Sequence, residues 1–378
     1  MALAAVKDVS ALSLADENGT ARAGIRATKD GPALDLADEK GKTRVSLAVD
    51  KDRSSLGLYD DNGKARVGLF ATKDGPMLDL FDENDMPRVA LAALKNGAEL
   101  DLCDANGKNR VGLAATKDGP MLDLCDANGK RRAGLAALKD GPRLFLFDEN
   151  GNCRAGLRAG EDRSGLGLYD ENGKARATLL GDKDGTRLAI FDENGTARAG
   201  IHATKDESGM DLTDMNGKHR VVLTVDKDGP GMGLCDENGR GRAGVSLTKE
   251  GSGLGLLDGN GKTRAKFFVA KDGPMLEMFD ENGNRRAALA ATMDGPGLGM
   301  FDENGKTRAT FFVAKDGGVL GLLGENGKPQ AGIRATKDGP TFELLDESGN
   351  SRASLTASKD GPRLAMKDTQ GKAVLIAP

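Results

Sequence analysis

Tryptophan is absent from the 378 residues, tyrosine and histidine occur twice each, and cysteine occurs four times. The two histidines, His202 and His219, stand in different repeats and different slots, which leaves little for acid–base or metal chemistry. No catalytic residue, cofactor or metal ligand is therefore expected. No apolar run approaches the ~20 residues of a membrane-spanning helix, so no membrane insertion is expected. Charge of one sign never accumulates: 54 basic and 58 acidic residues are interspersed, for a net charge of −4. That argues against nucleic acid, which needs a basic face, and against a polybasic membrane patch. Met1–Val9 lacks a charged start followed by a long apolar stretch, so no signal peptide is read there. Cytoplasm is the default location, with a cell-surface or virion-associated one left open. Cys103, Cys125 and Cys235 share one slot of a repeat, whose neighbouring copies are expected ~9–10 Å apart. A disulfide needs Cα atoms within ~7 Å. With no Cys-x-x-Cys spacing, these three and Cys153 are read as free thiols.

What is present is a beat of 22 residues. Asp recurs from Asp16 to Asp368 at that interval, and one of the 17 slots breaks, at Gly324. Around each stands a version of Leu-x-Leu-x-Asp-Glu-Asn-Gly-Lys-x-Arg-Ala-Gly-Leu-x-Ala-Thr-Lys-Asp-Gly-Pro, and no copy gains or loses a residue. A fixed period marks a repeat architecture in which each unit packs on its neighbours. Residues 1–378 are read as a single continuous array, with Leu3 in register with Ile25 and Leu47. The segment 373–378 is apolar where the strand is normally charged, and is read as a cap or docking strand.

Within one repeat, Leu34 and Leu36 alternate with Asp35 and Ala37, and Val45, Leu47 and Val49 with Arg44 and Ser46. Period-two alternation over short runs predicts half-buried strands. Gly or Pro about every 11 residues excludes a helix. Two turns separate the strands. Asn18-Gly19 and Asn172-Gly173 exemplify the first; Asn fills its slot in 14 of 17 copies and Gly in 16 of 17. Asn-Gly points to a type I′ hairpin, pairing Glu171 with Lys174, Asp170 with Ala175, Tyr169 with Arg176, Leu168 with Ala177 and Leu166 with Leu179. Asp118-Gly119 exemplifies the second. Pro120 cannot donate a ladder bond, so a four-residue loop is expected, with Ala27 opposite Leu34 and Ile25 opposite Leu36.

These registers predict an all-β fold: an antiparallel β-meander of seventeen 22-residue hairpin repeats, forming an elongated rod or solenoid-like array. The alternative is a parallel β-solenoid with one coil per repeat, which would stack Arg22, Arg44, Arg66 and their equivalents about 4.8 Å apart. Leu34, Leu36, Leu47, Leu166, Leu168 and Leu179 are the candidate core. The opposite face reads as solvated, with Tyr169 over Arg176. A long single sheet does not persist alone in water. Self-association is therefore expected, as a dimer, trimer or filament, or else coiling of the strip upon itself.

The repeated phrase resembles the tandem 22-residue β-hairpin repeats of uncharacterised bacterial proteins, of the type Leu-x-Leu-x-Asp-x-Asn-Gly-Lys-x-Arg-Ala-x-Leu, from Leu3 to about Lys372. The resemblance implies the hairpin architecture and no activity. Its departures are Asp85 in a Gly slot and Gln330 and Val374 in Arg slots. The repeated Asp is read as accepting turn amides, since catalysis needs one site and not 16. Asp-x-Asn-Gly is a fragment of a calcium loop, but the later ligands are missing and Lys64 or Lys108 follows at once. The function expected is that of a non-catalytic structural protein: a fibre shaft, stalk or filament subunit. The alternative is a repetitive adhesion protein presenting a polymer- or glycan-binding surface. The nearest cluster of aromatic departures is Phe267, Phe268, Phe311 and Phe312.

Overall fold

A computed structural model describes residues 1–6 and 9–378; Lys7 and Asp8, in the Met1–Val9 stretch assigned to the array, lie outside the described residues. The described chain is all-β, with 35 strands and no helix. It divides into two units, Met1–Gly195 and Thr196–Pro378. In each unit every described pairing is antiparallel and joins strands consecutive in sequence. That is a meander, and it excludes the parallel solenoid. Among the described residues of each unit, strands contact their chain neighbours and no other strand, so each unit is a single layer with two open faces. The first strand, Ala2–Val6, and the last, Ala373–Ala377, each pair on one side only among the described residues.

The Asn-Gly turn is not type I′. Asn172 has no positive φ, and in each intact copy only the glycine does, Gly173 at 77°. The Gly173 N–H donates to the Asp170 carbonyl at 3.1 Å, and the Asp170 N–H to the Lys174 carbonyl at 2.9 Å. This is a type I turn closed by a left-handed glycine bulge, a three-residue hairpin loop. Asp at the first turn position and Gly at the fourth are the residues type I favours. Asp170 Oδ1 accepts the N–H groups of Asn172 and Lys174, each at 2.9 Å. Where the sequence substitutes Gly324, Asn326 Oδ1 takes the Lys328 N–H at 2.9 Å instead. Asp85, in the glycine slot, adopts φ 62°, the one positive value outside glycine among the described residues.

The bulge changes the expected register near the turn. Leu166 pairs with Leu179 and Leu168 with Ala177, but Tyr169 pairs with Ala175, and the ladder skips Arg176. The same skip falls on Arg44, Arg132 and Arg264. Each such arginine is the extra residue of a bulge, so Tyr169 does not sit opposite Arg176.

The second turn is tighter than its proline suggested. Thr116 pairs with Gly119 and Ala115 with Pro120, leaving a two-residue loop, Lys117-Asp118. Likewise Ala27 pairs with Pro32 and Ile25 with Leu34, two residues from the expected register. A shift of two keeps every side chain on its expected face. Thr116 Oγ1 donates to the Gly119 carbonyl at 3.0 Å and accepts the Asp118 N–H at 3.3 Å. Gly119 has φ 130°, and a Cβ there would lie 2.0 Å from the Ala137 carbonyl oxygen on the next strand. Proline acts on the far side of its strand. With Ala98, the ladder to the following strand includes Gly97↔Thr116 and Ala98↔Ala115. With Pro120, it starts later, at Met121↔Ala136. Ser252 and Pro274 show the same contrast. Lacking an N–H, proline trims two pairs from one ladder and leaves the hairpin intact.

Candidate interaction faces

The pleat sorts the repeat onto two faces, and cross-strand pairing aligns each slot into a column. In the first unit one column runs Leu12, Ile25, Leu34, Leu47, Leu56, Leu69 and onward through Leu144, Leu157, Leu166 and Leu179 to Leu188, each directly opposite the next. A second column alternates large and small: Leu36, Val45, Leu58, and later Leu168, Ala177, Ile190. In the second unit the slots of the first column contain Met210, Met232, Phe267 and Phe311. Phe268 and Phe312, next in sequence, fall on the opposite face, so the four phenylalanines form no single cluster.

The structure places Leu34, Leu36, Leu47, Leu166, Leu168 and Leu179 together on this face. Within the chain they are 38–47% exposed. Among the described residues of the same unit, no other layer lies over them. The buried apolar residues are instead Ala33, Ala92 and Ala136, on the reverse face. Ala92 lies between Met77 and Glu99, and Ala136 between Met121 and Arg143. Long side chains lie along the sheet and cover small ones, whereas Leu is too short to cover a neighbour two strands away. The reverse face, expected to be merely solvated, is the better covered of the two.

Its charges and rings interlock. Glu277, 6% exposed, receives Lys266 Nζ at 2.8 Å and Arg285 at 3.0 Å. Burial raises the affinity of Glu277 for a proton, but the two cations together outweigh it and hold the carboxyl below the usual range. Lys266 sits 4.6 Å over the Phe268 ring and Arg285 4.3 Å over Phe301. Burial, reinforced by Asp101, raises the Cys103 thiol. All four cysteines are free.

Between the faces, along the turns, runs a line of ion pairs. Arg176 Nε lies 3.2 Å from Asp170, and Arg44, Arg132 and Arg264 pair in the same way at 3.4–3.6 Å. Several of these arginines also donate to the next repeat, as Arg154 does to the Tyr169 carbonyl at 3.0 Å. The Lys174 ammonium donates to the Glu193 carbonyl at 3.1 Å, one turn further on. At Asp38 the Lys42 N–H is the strongest influence, and with the Lys40 N–H and Arg44 it holds the carboxyl below its ordinary value. At Asp346 the pKa falls to about 2, chiefly through the Asn350 N–H. Asn18, Gly19, Asn172 and Gly173 lie in these turns; Asp118 lies in the other turn, and Gly119 opens the strand after it.

His202 lies 3.4 Å from Glu207 and His219 3.7 Å from Asp211, on different strands with different partners. Among the described residues no group of three His, Cys, Asp or Glu is disposed to hold a metal ion.

No family model matches the chain, and no curated protein matches it. Among solved structures, the crystal structure of TcdB2-TccC3 aligns with 98% of this chain and 24% of its own, at 11% identity and a TM-score of 0.16. TcdB2-TccC3-Cdc42 aligns with 97% of this chain and 23% of its own, at 9% identity and a TM-score of 0.16. A mutant of S. aureus TarM in complex with fondaparinux, alpha-GlcNAc-glycerol and UDP aligns with 30% of this chain and 20% of its own, at 13% identity and 0.15. The chain thus spans less than a quarter of the length of each of these proteins, and TM-scores at this level carry no argument about function.

Proposed function

We propose that this is a non-catalytic structural repeat protein, a fibre shaft, stalk or filament subunit, whose leucine face is covered by a second copy of the chain. One observation carries the reading: in the first unit, twenty-one Leu, Ile and Val side chains from Leu14 to Ile190 share one face and remain 38–54% exposed. Completing their burial is worth roughly 1 kcal/mol each, half of the usual value for a full side chain. Association costs about 4–15 kcal/mol in lost freedom, which such a face exceeds even after losses to imperfect packing. The period selects the partner. Every second strand presents the same side chain, so another copy offers a matching face at the same ~9–10 Å spacing along its length. Two such sheets stack at about 10 Å, with the alternating Leu and Ala or Val of the second column interdigitating.

Negative-stain electron microscopy of the purified chain tests the reading. Elongated particles containing more than one chain are expected. Compact particles of a single 39.4 kDa chain would overturn it.

A further inference from the structure

On the reverse face of the first unit the regular pattern gives way to three arginines. Arg143 and Arg158 are direct cross-strand partners, and Arg158 in turn faces Gly165. Like charges placed directly opposite destabilise a sheet unless something negative lies between them. Asp140, about half exposed, contacts Arg143 and lies 3.9 Å from Arg158. It does not complete the pair, for Arg143 Nε is buried and has no hydrogen-bond partner. Arg163 stands in the slot that holds glycine at Gly119 and Gly141, and lies 3.5 Å from Asp182. The three guanidinium groups line a cavity of about 330 Å³ with Phe145 and Tyr169. Both rings lie over glycine: a Cβ at Gly167 would come within 2.7 Å of Tyr169 Cζ, and one at Gly156 within 3.4 Å of Phe145. The result is a trough flanked by two rings, in which three guanidinium groups share the two carboxylates of Asp140 and Asp182.

We propose that this trough binds the carboxylate-bearing ring of an acidic polysaccharide, one uronate unit at a time. Guanidinium pairs grip a carboxylate through parallel, charge-assisted hydrogen bonds, and the flanking rings suit the apolar face of a sugar. A volume near 330 Å³ is at the small end of ligand pockets, about the size of a single ring unit. Nucleic acid fits less well. The trough holds three arginines bordered by Asp140 and Asp182, not a continuous basic face that tracks a phosphate backbone. The chain carries its own contrast five repeats earlier. There Arg53 and Tyr59 recur, but Ala33 and Ala48 replace Arg143 and Arg158. The fold accepts alanine at both positions, so the arginine pair is not a requirement of the sheet. This inference does not depend on what covers the leucine face, which lies on the other side.

Isothermal titration calorimetry of the whole chain with trigalacturonate, neutral galactotriose and an oligothymidylate tests it. Binding of trigalacturonate alone is expected. Arg158→Ala should weaken it about tenfold or more, the effect of losing a charge-assisted hydrogen bond. Arg26→Ala, in the same slot of another repeat and paired with Asp35, should leave it unchanged. Circular dichroism of both variants should match the parent. The proposal is overturned by the absence of trigalacturonate binding, by equal binding of galactotriose or the oligothymidylate, or by equal effects of the two substitutions.

Discussion

On the face of Leu34, Leu47 and Leu166, seventeen strands of the first unit repeat one short apolar side chain, and most copies stay more than a third exposed. On the reverse face the same strands carry Met, Phe, Arg, Asp and Glu beside Gly and Ala, and several of the small residues there, Ala33, Ala92 and Ala136 among them, are buried. Length explains the difference. A lysine or arginine can lie across a neighbouring strand and bury its stem while its charge finds a partner, as Lys266 does over Phe268 and onto Glu277. A leucine standing on a single-layer sheet covers only its immediate neighbours. One face is therefore largely covered within the chain and varied in composition, while the other is uniform and is left open by the chain's own strands. Uniformity is what the proposed second copy would match, and variation is what sets the place around Arg143 apart from its equivalents in other repeats.

The widest effect strikes both faces at once, through the hairpin mouths that hold the strands in register. The mouth carboxylates at Asp38, Asp60 and Asp82 are held below the ordinary 3.8 by turn amides and a neighbouring arginine, and Asp346 lies at about 2. A group whose folded pKa is depressed contributes stability above its unfolded value and loses it as pH falls through the folded one. The β-sheet signal in circular dichroism should hold down to about pH 4 and weaken as the pH falls from there towards 2. Asp346→Asn should flatten the contribution of that one repeat. An acid titration with no loss of signal in this window would contradict the role given to the mouths.

Breaking the leucine face comes next. Leu166→Ser with Leu168→Ser should lower stability by about 2–4 kcal/mol, read as the urea midpoint, through lost burial both within and between chains. Phe145→Ser on the reverse face should cost less. Equal effects would erase the distinction between the faces.

The turns sharpen the comparison further. Gly119→Ala meets the Ala137 carbonyl and should cost about 1–3 kcal/mol. Gly173→Ala meets nothing within 4 Å. It carries only the left-handed penalty of about 1 kcal/mol, and Gly173→Asp less, as Asp85 already shows. Thermal unfolding of the three variants tests this order. Smallest of all, Lys174→Ala should shift stability by less than about 0.5 kcal/mol, since its contact to Glu193 is exposed.

Much of this was legible in the sequence. The 22-residue period and the alternation of Leu34, Asp35 and Leu36 specify strands, faces and order. What was hidden lies where one motif serves two geometries. Asn-Gly suits a type I′ turn, but in Asp-Glu-Asn-Gly the leading Asp captures the turn amides and shifts the positive φ to glycine alone. That places Arg176 in a bulge, which no count of alternation reveals. Pro120 signals a lost ladder bond without saying on which side of the strand, and it is the following strand that loses it. The arginine trough was invisible because Arg143 and Arg158 are 15 residues apart and become partners only through the register.

Methionine provides the most direct test of the leucine face. Met278 and Met300 lie on the equivalent face of the second unit, 49% and 51% exposed in the single chain, while Met293 sits in a turn at 96%. Met121 and Met275 lie on the reverse face. Peroxide oxidation followed by peptide mass spectrometry reads each thioether separately. If a second copy covers the leucine face, Met278 and Met300 should oxidise at least about tenfold more slowly than Met293, and no faster than Met121 and Met275. Oxidation of Met278 and Met300 at rates close to that of Met293 would show a bare face, and would contradict the account.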